Sequence, residues 1–305
     1  MSPPQRRSCS GKAISRDKRA DRSSRALVYT RRVAGKLLIV GTPIGNLSDF
    51  SPRAIESMKS ADVILCEDTR HTGKLLAHFG IERPTHRFDD HTEDARASSF
   101  ADQIAAGSTV ALVSDAGMPL VSDPGYRLVR IARERGLDVE PIPGPFAGVL
   151  ALVASGIAPL PFTFLGFPPH RAGERADFYR AAVPLGHTVI LYESPERIVD
   201  SLADALEVLG DVEASVSREM TKVYEETVRG MLSEVLAELR TRESIRGEIT
   251  VVLGAAVAAH SEADPVAIAA EFERLRSTGM RRNDAVKAVA EKFGLRKNDV
   301  YRMLL

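Results

Sequence analysis

The sequence lacks a long hydrophobic run and is poor in cysteine. No apolar stretch approaches the roughly 18 residues that a membrane-spanning helix needs, so we expect no membrane association. The first 25 residues carry charge but no apolar segment behind it, which argues against a secretory signal. Cys9 and Cys66 lie far apart and lack metal-ligand spacing. We therefore expect neither a disulfide framework nor a metal site, and a cytoplasmic location in a reducing environment.

The composition is that of a folded globular protein: 305 residues, 44% hydrophobic and 27% charged. This length allows two ordinary domains or one large one. The formal net charge of zero hides an asymmetry, because residues 1–34 hold ten Lys or Arg against two Asp, giving +8, and the remainder carries −8. Residues 1–35 are also poor in apolar side chains, which predicts a disordered basic arm. Such an arm either binds RNA electrostatically or is an extension of little consequence.

Short apolar runs alternate with helix signals after this arm. Ser51-Pro52 and Asp123-Pro124 each predict a helix start, with an N-cap followed by proline. The alternation of strands and helices predicts a mostly parallel α/β sheet. The predicted strands are 36–41, 62–67, 109–115 and 137–142, and the predicted helices are 52–60, 72–79, 124–135 and 146–154.

A proline- and glycine-rich stretch at 156–162 predicts a domain boundary. After it, strands are predicted at 162–167, 187–194, 213–219 and 247–255, with a helix capped by Ser194-Pro195. The fold class predicted is α/β, with an N-terminal α/β domain at 36–158, a second at 159–258 and a helical unit at 262–305.

The loops after the strands of the first domain are polar or rich in glycine. In parallel sheets, ligands collect at the carboxyl ends of the strands. After the first strand, the glycines of Gly41-Thr42-Pro43-Ile44-Gly45-Asn46 allow close backbone approach, and the segment matches neither the dinucleotide fingerprint nor the P-loop. After the third strand, Ser114-Asp115-Ala116-Gly117-Met118 combines an acid with small residues, which suits a ligand with hydroxyls and a positive charge. Pro143-Gly144-Pro145 forms another tight turn at this edge.

The loop after the second strand, Glu67-Asp68-Thr69-Arg70-His71-Thr72, is a dense polar cluster. It is either a solvated loop with a helix cap at Thr69 or Thr72, or a site of substrate recognition and acid/base chemistry. Residues 89–93 form a second, weaker cluster of this kind. In the second half, residues 192–197 and 218–226 place Arg and Lys among polar groups, which suits phosphate and ribose contacts. The alternative is an exposed salt-bridged surface, which we favour for Glu225 and Glu226.

Taken together, these segments resemble the tetrapyrrole-methylase superfamily, and within it the bacterial enzymes that 2′-O-methylate a cytidine of small-subunit ribosomal RNA. The match spans about 70% of the chain, from residue 38 to 253. The first loop reads Pro-Ile-Gly-Asn rather than Gly-Pro-Gly-Asp, as in the RNA-modifying branch, and Met118 stands where threonine is expected. The matching segments are TPIGNLSDFSPRAIE, CEDTRHTGKLLAHFGI, DDHTE, LVSDAGMPLVSDPGYRLV, PIPGPFAGVLAL, FLGFPP, YESPERI, REMTKVYEE and GEITVVL.

The resemblance implies S-adenosylmethionine in a cleft between two α/β domains, a homodimer, and a decoding-region cytidine of 16S ribosomal RNA in the small subunit as the target. It assigns cofactor contacts to a set of loop residues: Pro43, Ile44, Gly45, Ser114, Asp115, Ala116, Gly117, Met118, Gly144, Phe146, Ala147 and Tyr192. Glu67, His71 and Glu193 are candidates for the base or an orienting group, and Arg70, Arg218 and Lys222 for holding the RNA backbone. No single base is chosen.

The C-terminal segment has the pattern of a helix-turn-helix. Ala290, Gly294 and Val300 fall at relative positions 5, 9 and 15, which need a small residue, a turn glycine and an apolar anchor. The unit carries a basic surface that suits RNA; the alternative is a helical hairpin that caps the second domain or the dimer. Its basic residues are Arg281, Arg282, Lys287, Lys292, Arg296, Lys297 and Arg302.

Two other functions stay open from the sequence. One is a relative that methylates a different acceptor, either a corrin precursor or a protein, as diphthine synthase does. The other is a non-catalytic, cofactor-sensing protein that binds nucleic acid. The helix-turn-helix pattern and the Glu67–Thr72 cluster argue against the first, and the intact polar loops argue against the second.

Overall fold

A computed structural model describes residues 35–256, 265–293 and 297–304. The predicted basic arm lies outside the described residues, apart from Gly35 at its end. Among the helices described, none is long and apolar enough to cross a lipid bilayer.

The first sheet is parallel throughout, in the order β3-β2-β4-β1-β5. Its inner strands are almost wholly buried because helices cover both faces, which explains their uninterrupted apolar runs. The strands are β1 (Lys36–Val40), β2 (Val63–Cys66), β3 (Thr85–Arg87), β4 (Val110–Leu112) and β5 (Asp138–Ile142). The helices are α1 (Pro52–Ser60), α2 (Thr69–His78), α3 (Asp90–Ala105), α4 (Tyr126–Glu134) and α5 (Ala147–Ser155).

The second sheet has the order β6-β7-β10-β8-β9 and is mostly antiparallel. Strands β6 and β7 run parallel, whereas β10 is antiparallel to both β7 and β8, and β8 is antiparallel to β9. The strands are β6 (Phe162–Phe164), β7 (Thr188–Glu193), β8 (Glu213–Arg218), β9 (Glu226–Met231) and β10 (Ile249–Leu253). The helices are α6 (Ala172–Ala182), α7 (Ile198–Leu209) and α8 (Leu232–Arg240). The predicted α/β class is confirmed, but α3, α6, α8, β3 and β9 were not predicted individually.

An apolar cluster joins the two sheets and positions the site. Helix α5 follows the first sheet in the chain, yet it packs on β7, β8 and β10 of the second. Its Ala151 and Leu152 lie in one buried cluster with Ile44 from the β1 loop, Ile190 of β7 and Val252 of β10. The loops at the carboxyl edge of the first sheet therefore face the second sheet. The domain boundaries expected near 158 and 258 stay predictions.

The predicted helical unit at the C-terminus is present as α9 (Pro265–Ser277), α10 (Arg282–Phe293) and α11 (Lys297–Met303). It has its own apolar cluster, in which Ala290 and Val300 are buried as the helix-turn-helix pattern requires. The predicted turn glycine, Gly294, lies outside the described residues.

Three helices begin two or more residues away from the predicted start. Helix α2 begins at Thr69, earlier than the predicted 72, because Asp68 caps it by accepting the N–H of Arg70. Helix α4 begins at Tyr126 rather than 124, since Gly125 with φ +126° forms its N-terminal boundary.

The cap of α4 comes from another helix. Glu93 of α3 accepts the N–H of Arg127 at 2.6 Å, so Asp123 does not cap α4. Helix α7 begins at Ile198, well after the predicted Ser194 cap. The Ser194 hydroxyl instead accepts from the Arg197 guanidinium at 3.3 Å.

Candidate active site

A cavity of about 390 Å³ lies where the loops of the first sheet face the second. This volume is in the range of small-molecule sites, roughly 300–1,000 Å³. Many residues predicted from the sequence line it: Ile44, Asp115, Ala116, Gly117, Met118, Phe146, Ala147, Tyr192 and Glu193.

Two close backbone approaches shape the first-domain side of the cavity. A Cβ on Gly144 would lie 2.6 Å from the Cα of Gly41, so the β1 and β5 loops meet with no room for a side chain. Thr42 and Gly117 exchange backbone hydrogen bonds of 2.9 and 3.1 Å. Pro43 is buried beside this contact. Gly144 and Pro43 therefore support the loops rather than line the cavity.

Ser114 also acts behind the cavity wall. It is buried, and its hydroxyl lies 3.2 Å from the carbonyl oxygens of both Ala116 and Gly117. Gly117 has φ +80°, a backbone conformation that favours glycine. The side chain of Ser114 thus fixes the turn that presents residues 115–118.

Acidic groups gather at the carboxyl edge of the first sheet. Asp115 and Asp123 line the cavity, and Glu67 lies behind them at the end of β2. Burial, together with Glu67 and Asp115, raises the pKa of Asp123 to about 7. Burial and the neighbouring Asp115 also raise the pKa of Glu67. Because each ionised carboxylate opposes the others, this wall of the cavity favours a positively charged ligand.

The other residues of the Glu67–Thr72 cluster lie at the N-cap and in the first turn of α2, outside the cavity lining. His71 is exposed. Arg70, with 89% of its side chain exposed, pairs with Asp68 at 2.8 Å. This pairing lowers the pKa of Asp68. Arg70 and His71 are accessible to a large substrate but do not face the cavity.

Glu193 is placed by the alternation of side chains along β7. Ile190 lies in the cluster beside the cavity and Tyr192 lines the cavity, whereas Leu191 packs in the core on the opposite face of the sheet. Glu193 borders the cavity, but by this alternation its side chain points away from it. It is fully buried, paired with Arg197, and accepts the Ser194 N–H at 2.8 Å. This geometry gives Glu193 a structural role and does not support it as the base.

Arg218 and Lys222 are both held in ion pairs. Arg218 pairs with Glu226 at 3.0 Å. The Lys222 ammonium lies 2.9 Å from Glu219 and 3.1 Å from Glu248. From the sequence we favoured an exposed salt-bridged surface for Glu225 and Glu226. The ion pair with Arg218 gives Glu226 a structural role.

The loop after β8, residues 219–225, clasps the β1 loop. The stem of Lys222 lies over Gly45, where an added Cβ would be 2.4 Å from the Lys222 Cγ. The N–H of Asn46 donates to the Thr221 hydroxyl at 3.1 Å. Glu225 accepts the Thr221 N–H at 2.8 Å, so it also stabilises the loop. Gly45 therefore does not line the cavity. Its lack of a side chain leaves room for the stem of Lys222.

A cluster of four aromatic rings stands at the cavity, and three of them, Phe146, Phe167 and Tyr192, line it. Tyr192 lies 5.0 Å from Phe164, 5.5 Å from Phe167 and 6.5 Å from Phe146, measured between ring centroids. Burial raises the pKa of Tyr192 to about 12, so its phenol stays neutral. Phe167 lines the cavity while 53% exposed, which places it at the opening. Such rings suit a nucleobase or an adenine.

Several lining residues were not predicted as site residues. Asp123 was interpreted as a cap, and Phe167 lies in the quoted segment FLGFPP without a role. The first residues of β10 line the cavity because β10 is antiparallel to β7, so its amino end lies beside the carboxyl end of β7. The residues missed are Val121, Ser122, Asp123, Phe167, Ser194, Pro195, Met220, Gly247, Glu248, Ile249 and Thr250. Within the described ranges, no three acidic, His or Cys side chains are arranged to hold a metal ion.

The chain belongs to the tetrapyrrole (corrin/porphyrin) methylases, whose family pattern matches residues 36–236. It is thus a methylase of the α/β class, built on two β-sheets with accompanying helices. Its relatives include proteins named ribosomal RNA small subunit methyltransferase I. That of Halalkalibacterium halodurans is 41% identical over 88% of this chain and 94% of its own length. That of Escherichia coli O157:H7 is 40% identical over 89% and 95%.

Solved structures support the fold. Diphthine synthase superposes with a TM-score of 0.58 at 16% identity, covering 72% of this chain and 90% of that one. The methyltransferase CobJ gives 0.55 at 20% identity, covering 73% and 95%. At these identities the likeness concerns the fold alone.

Proposed function

We propose that this chain uses S-adenosylmethionine to methylate the 2′-oxygen of a cytidine ribose in the decoding region of 16S ribosomal RNA, within the small subunit. The observation that carries the proposal is the 41% identity to a ribosomal RNA small subunit methyltransferase I across 94% of that protein. The cavity at the carboxyl edge of the parallel sheet supports it, because that is where this fold collects ligands.

The residues of the cavity fit S-adenosylmethionine. Ile44, Met118 and Phe146 offer apolar surface for an adenine, and the backbone of residues 115–118 offers polar groups for hydroxyls. Asp115 and Asp123 favour a cation, as a sulfonium is. When bound, this cofactor supplies an activated methyl group. The apolar residues bind it, and the loops held by Ser114 and Gly144 orient it.

The protein must align the ribose hydroxyl and remove its proton. Alignment contributes roughly 7–11 kcal/mol in favourable cases, and a positioned base about 10²–10⁴-fold. Glu67 lies behind the acidic wall, and His71 and Arg70 lie exposed on α2, where they would contact RNA outside the cavity. Lys222 belongs to the 219–225 loop that contacts the β1 loop. Lys222 and Arg218 are both held in ion pairs, so we do not propose either as a free cation for RNA.

The C-terminal unit is proposed as the further RNA contact. Arg281 and Arg282 are exposed at the start of α10. Lys292 is 56% exposed in its side chain but already pairs with Glu271 at 2.9 Å. The two arginines are therefore the better candidates for phosphate contacts, which position a nucleic acid without reading its sequence.

A homodimer is proposed through the outer face of α5. Val149, Leu150 and Val153 share that face by helical spacing and are 36%, 38% and 76% exposed. An exposed apolar stripe of this kind is typical of protein interfaces.

The test is methyl transfer from labelled S-adenosylmethionine to small subunits taken from a strain that lacks the gene. We expect label on one cytidine ribose of the decoding region. Subunits from the parent strain are the control, and they should accept no label because the site is already methylated. Label on a base, or transfer only to a corrin precursor or a protein, would overturn the RNA assignment and leave the family standing.

A further inference from the structure

We infer that Asp123 is the proton acceptor of the methyl transfer, taking the proton of the hydroxyl that is methylated. The inference rests on the proposed function and deepens it, because it assigns the base that sequence reasoning left open. From the sequence, Asp123 was predicted to cap α4, and it lay in the quoted segment LVSDAGMPLVSDPGYRLV without a site role of its own.

The position of Asp123 is the first argument. Asp123 lines the cavity together with Asp115 and Tyr192. The loop that carries it holds two non-glycine residues in the left-handed region, Leu120 with φ 72° and Ser122 with φ 67°. Such conformations are costly and persist only where the surrounding structure imposes them. The loop therefore holds Asp123 at the cavity against a local backbone preference.

Asp123 does not perform the structural task that its sequence context predicts, which is to cap α4. An Asp-Pro pair before a helix ordinarily caps it. Here Glu93, on a neighbouring helix, accepts the N–H of Arg127 at 2.6 Å. Glu93 is itself buried, so the capping of α4 is built into the packing of α3 against α4. Asp123, which lines the cavity, is therefore not engaged in capping α4.

The groups around Asp123 are mostly acidic. Glu67 at the end of β2, Asp115 after β4 and Asp90 at the start of α3 oppose its ionisation, and the Ser114 hydroxyl favours it. Tyr192 faces it from β7 with a phenol that stays neutral. With burial as the largest cause, the pKa of Asp123 rises to about 7. A base whose pKa lies near the working pH is both present in its basic form and able to accept a proton.

The chemistry balances through this residue. The ribose oxygen forms a bond to the methyl carbon, the carbon–sulfur bond breaks, and its electron pair stays on sulfur. The hydroxyl proton passes to the Asp123 carboxylate and then to water. The sulfonium and the carboxylate, which are opposite charges, both become neutral. A cavity wall that disfavours the ionised carboxylate therefore favours the products of transfer.

The other candidates fit this step less well. His71 is exposed on α2, and Glu67 does not line the cavity. Glu193 points to the opposite face of the second sheet, where Arg197 holds it. Asp115 lines the cavity but accepts the N–H of Asp68 at 3.3 Å, which ties it to the start of α2.

The experiment compares Asp123→Asn with the wild-type enzyme on undermethylated small subunits. We expect kcat to fall at least 100-fold, while affinity for S-adenosylhomocysteine, which is neutral, stays within threefold. In the wild type, kcat/KM should rise with pH through about 7 and then level. In Asp123→Asn that rise should be absent, and Asp123→Glu should restore both the rise and part of the rate. Asp94→Asn, an exposed carboxylate on α3, is the control and should change neither quantity.

Two results would overturn the inference. If Asp123→Asn keeps kcat within threefold, the proton goes elsewhere. If it loses S-adenosylhomocysteine binding along with activity, Asp123 shapes the pocket instead. Failure of the wild type itself to label subunits would refute the proposed function, so the two failures are told apart by the wild-type reaction.

Discussion

The raised pKa of Asp123 makes the stability of the protein depend on pH in a predictable direction. Its pKa moves from an ordinary 3.8 to about 7 in the folded chain. A raised pKa means that the folded state holds the proton more tightly than the unfolded state. This contribution to stability is therefore complete below pH 4 and is lost as pH rises through 7. The difference between these two pKa values corresponds to at most about 4 kcal/mol in total, of which about 2–3 kcal/mol falls between pH 5 and pH 8.

Asp123→Asn removes this titration, so the variant should be more stable than the wild type, and increasingly so at higher pH. We expect its advantage in free energy of unfolding to grow by about 2–3 kcal/mol between pH 5 and pH 8, or by at least about 1 kcal/mol if local relaxation softens the desolvation. Urea unfolding followed by circular dichroism measures this, since the chain has no tryptophan for fluorescence. Titrating groups away from the acidic wall act equally in both proteins and cancel in the difference. An advantage that does not change with pH would show that Asp123 titrates normally and would refute the reasoning.

Three further predictions concern the walls of the site. Gly144→Ala would place a Cβ 2.6 Å from the Cα of Gly41, so we expect S-adenosylmethionine affinity to fall at least tenfold in calorimetry, since overpacking costs about 1–3 kcal/mol; unchanged affinity would contradict the close approach. Phe167→Ala should raise KM for small subunits roughly tenfold, because stacking of a base is worth about 1–3 kcal/mol, whereas Phe162→Ala, which changes a partly exposed ring off the cavity, should not. Glu193→Gln should lower the free energy of unfolding by about 3 kcal/mol through loss of a buried ion pair, while the specific activity of folded enzyme changes little. A hundredfold loss of that activity would return Glu193 to the candidates for the base.

Most strands of the first sheet could be predicted because each has a recognisable local sequence pattern. Strands β1 and β2 are apolar runs bounded by polar residues, since both faces of the sheet are covered. Strand β3 has only three residues, of which His86 and Arg87 are exposed, so it lacks that pattern. Strand β9, at the sheet edge, alternates exposed residues with inward ones of which only Val228 is buried, so it too lacks an apolar run.

The predictions that differed from the structure depended on distant contacts. Asp123-Pro124 is a sound capping signal in isolation, but Glu93, thirty residues earlier in the chain, takes the helix N–H instead. Glu193 stands among polar residues in sequence, yet the pleat of β7 turns it away from Tyr192 beside it. Local patterns placed the loops at the site, whereas the roles of single side chains within those loops depended on tertiary packing.

The clasp between Lys222 and Gly45 has an evolutionary consequence. Any side chain at position 45 would occupy the space that the stem of Lys222 fills. A change at either position therefore alters the constraint on the other, although 177 positions separate them in the chain. Among homologues, we expect residues larger than glycine at the position of Gly45 to occur together with short side chains at the position of Lys222. Lineages that crossed between these two combinations would have passed through an unfavourable intermediate, so the pair should change rarely and together.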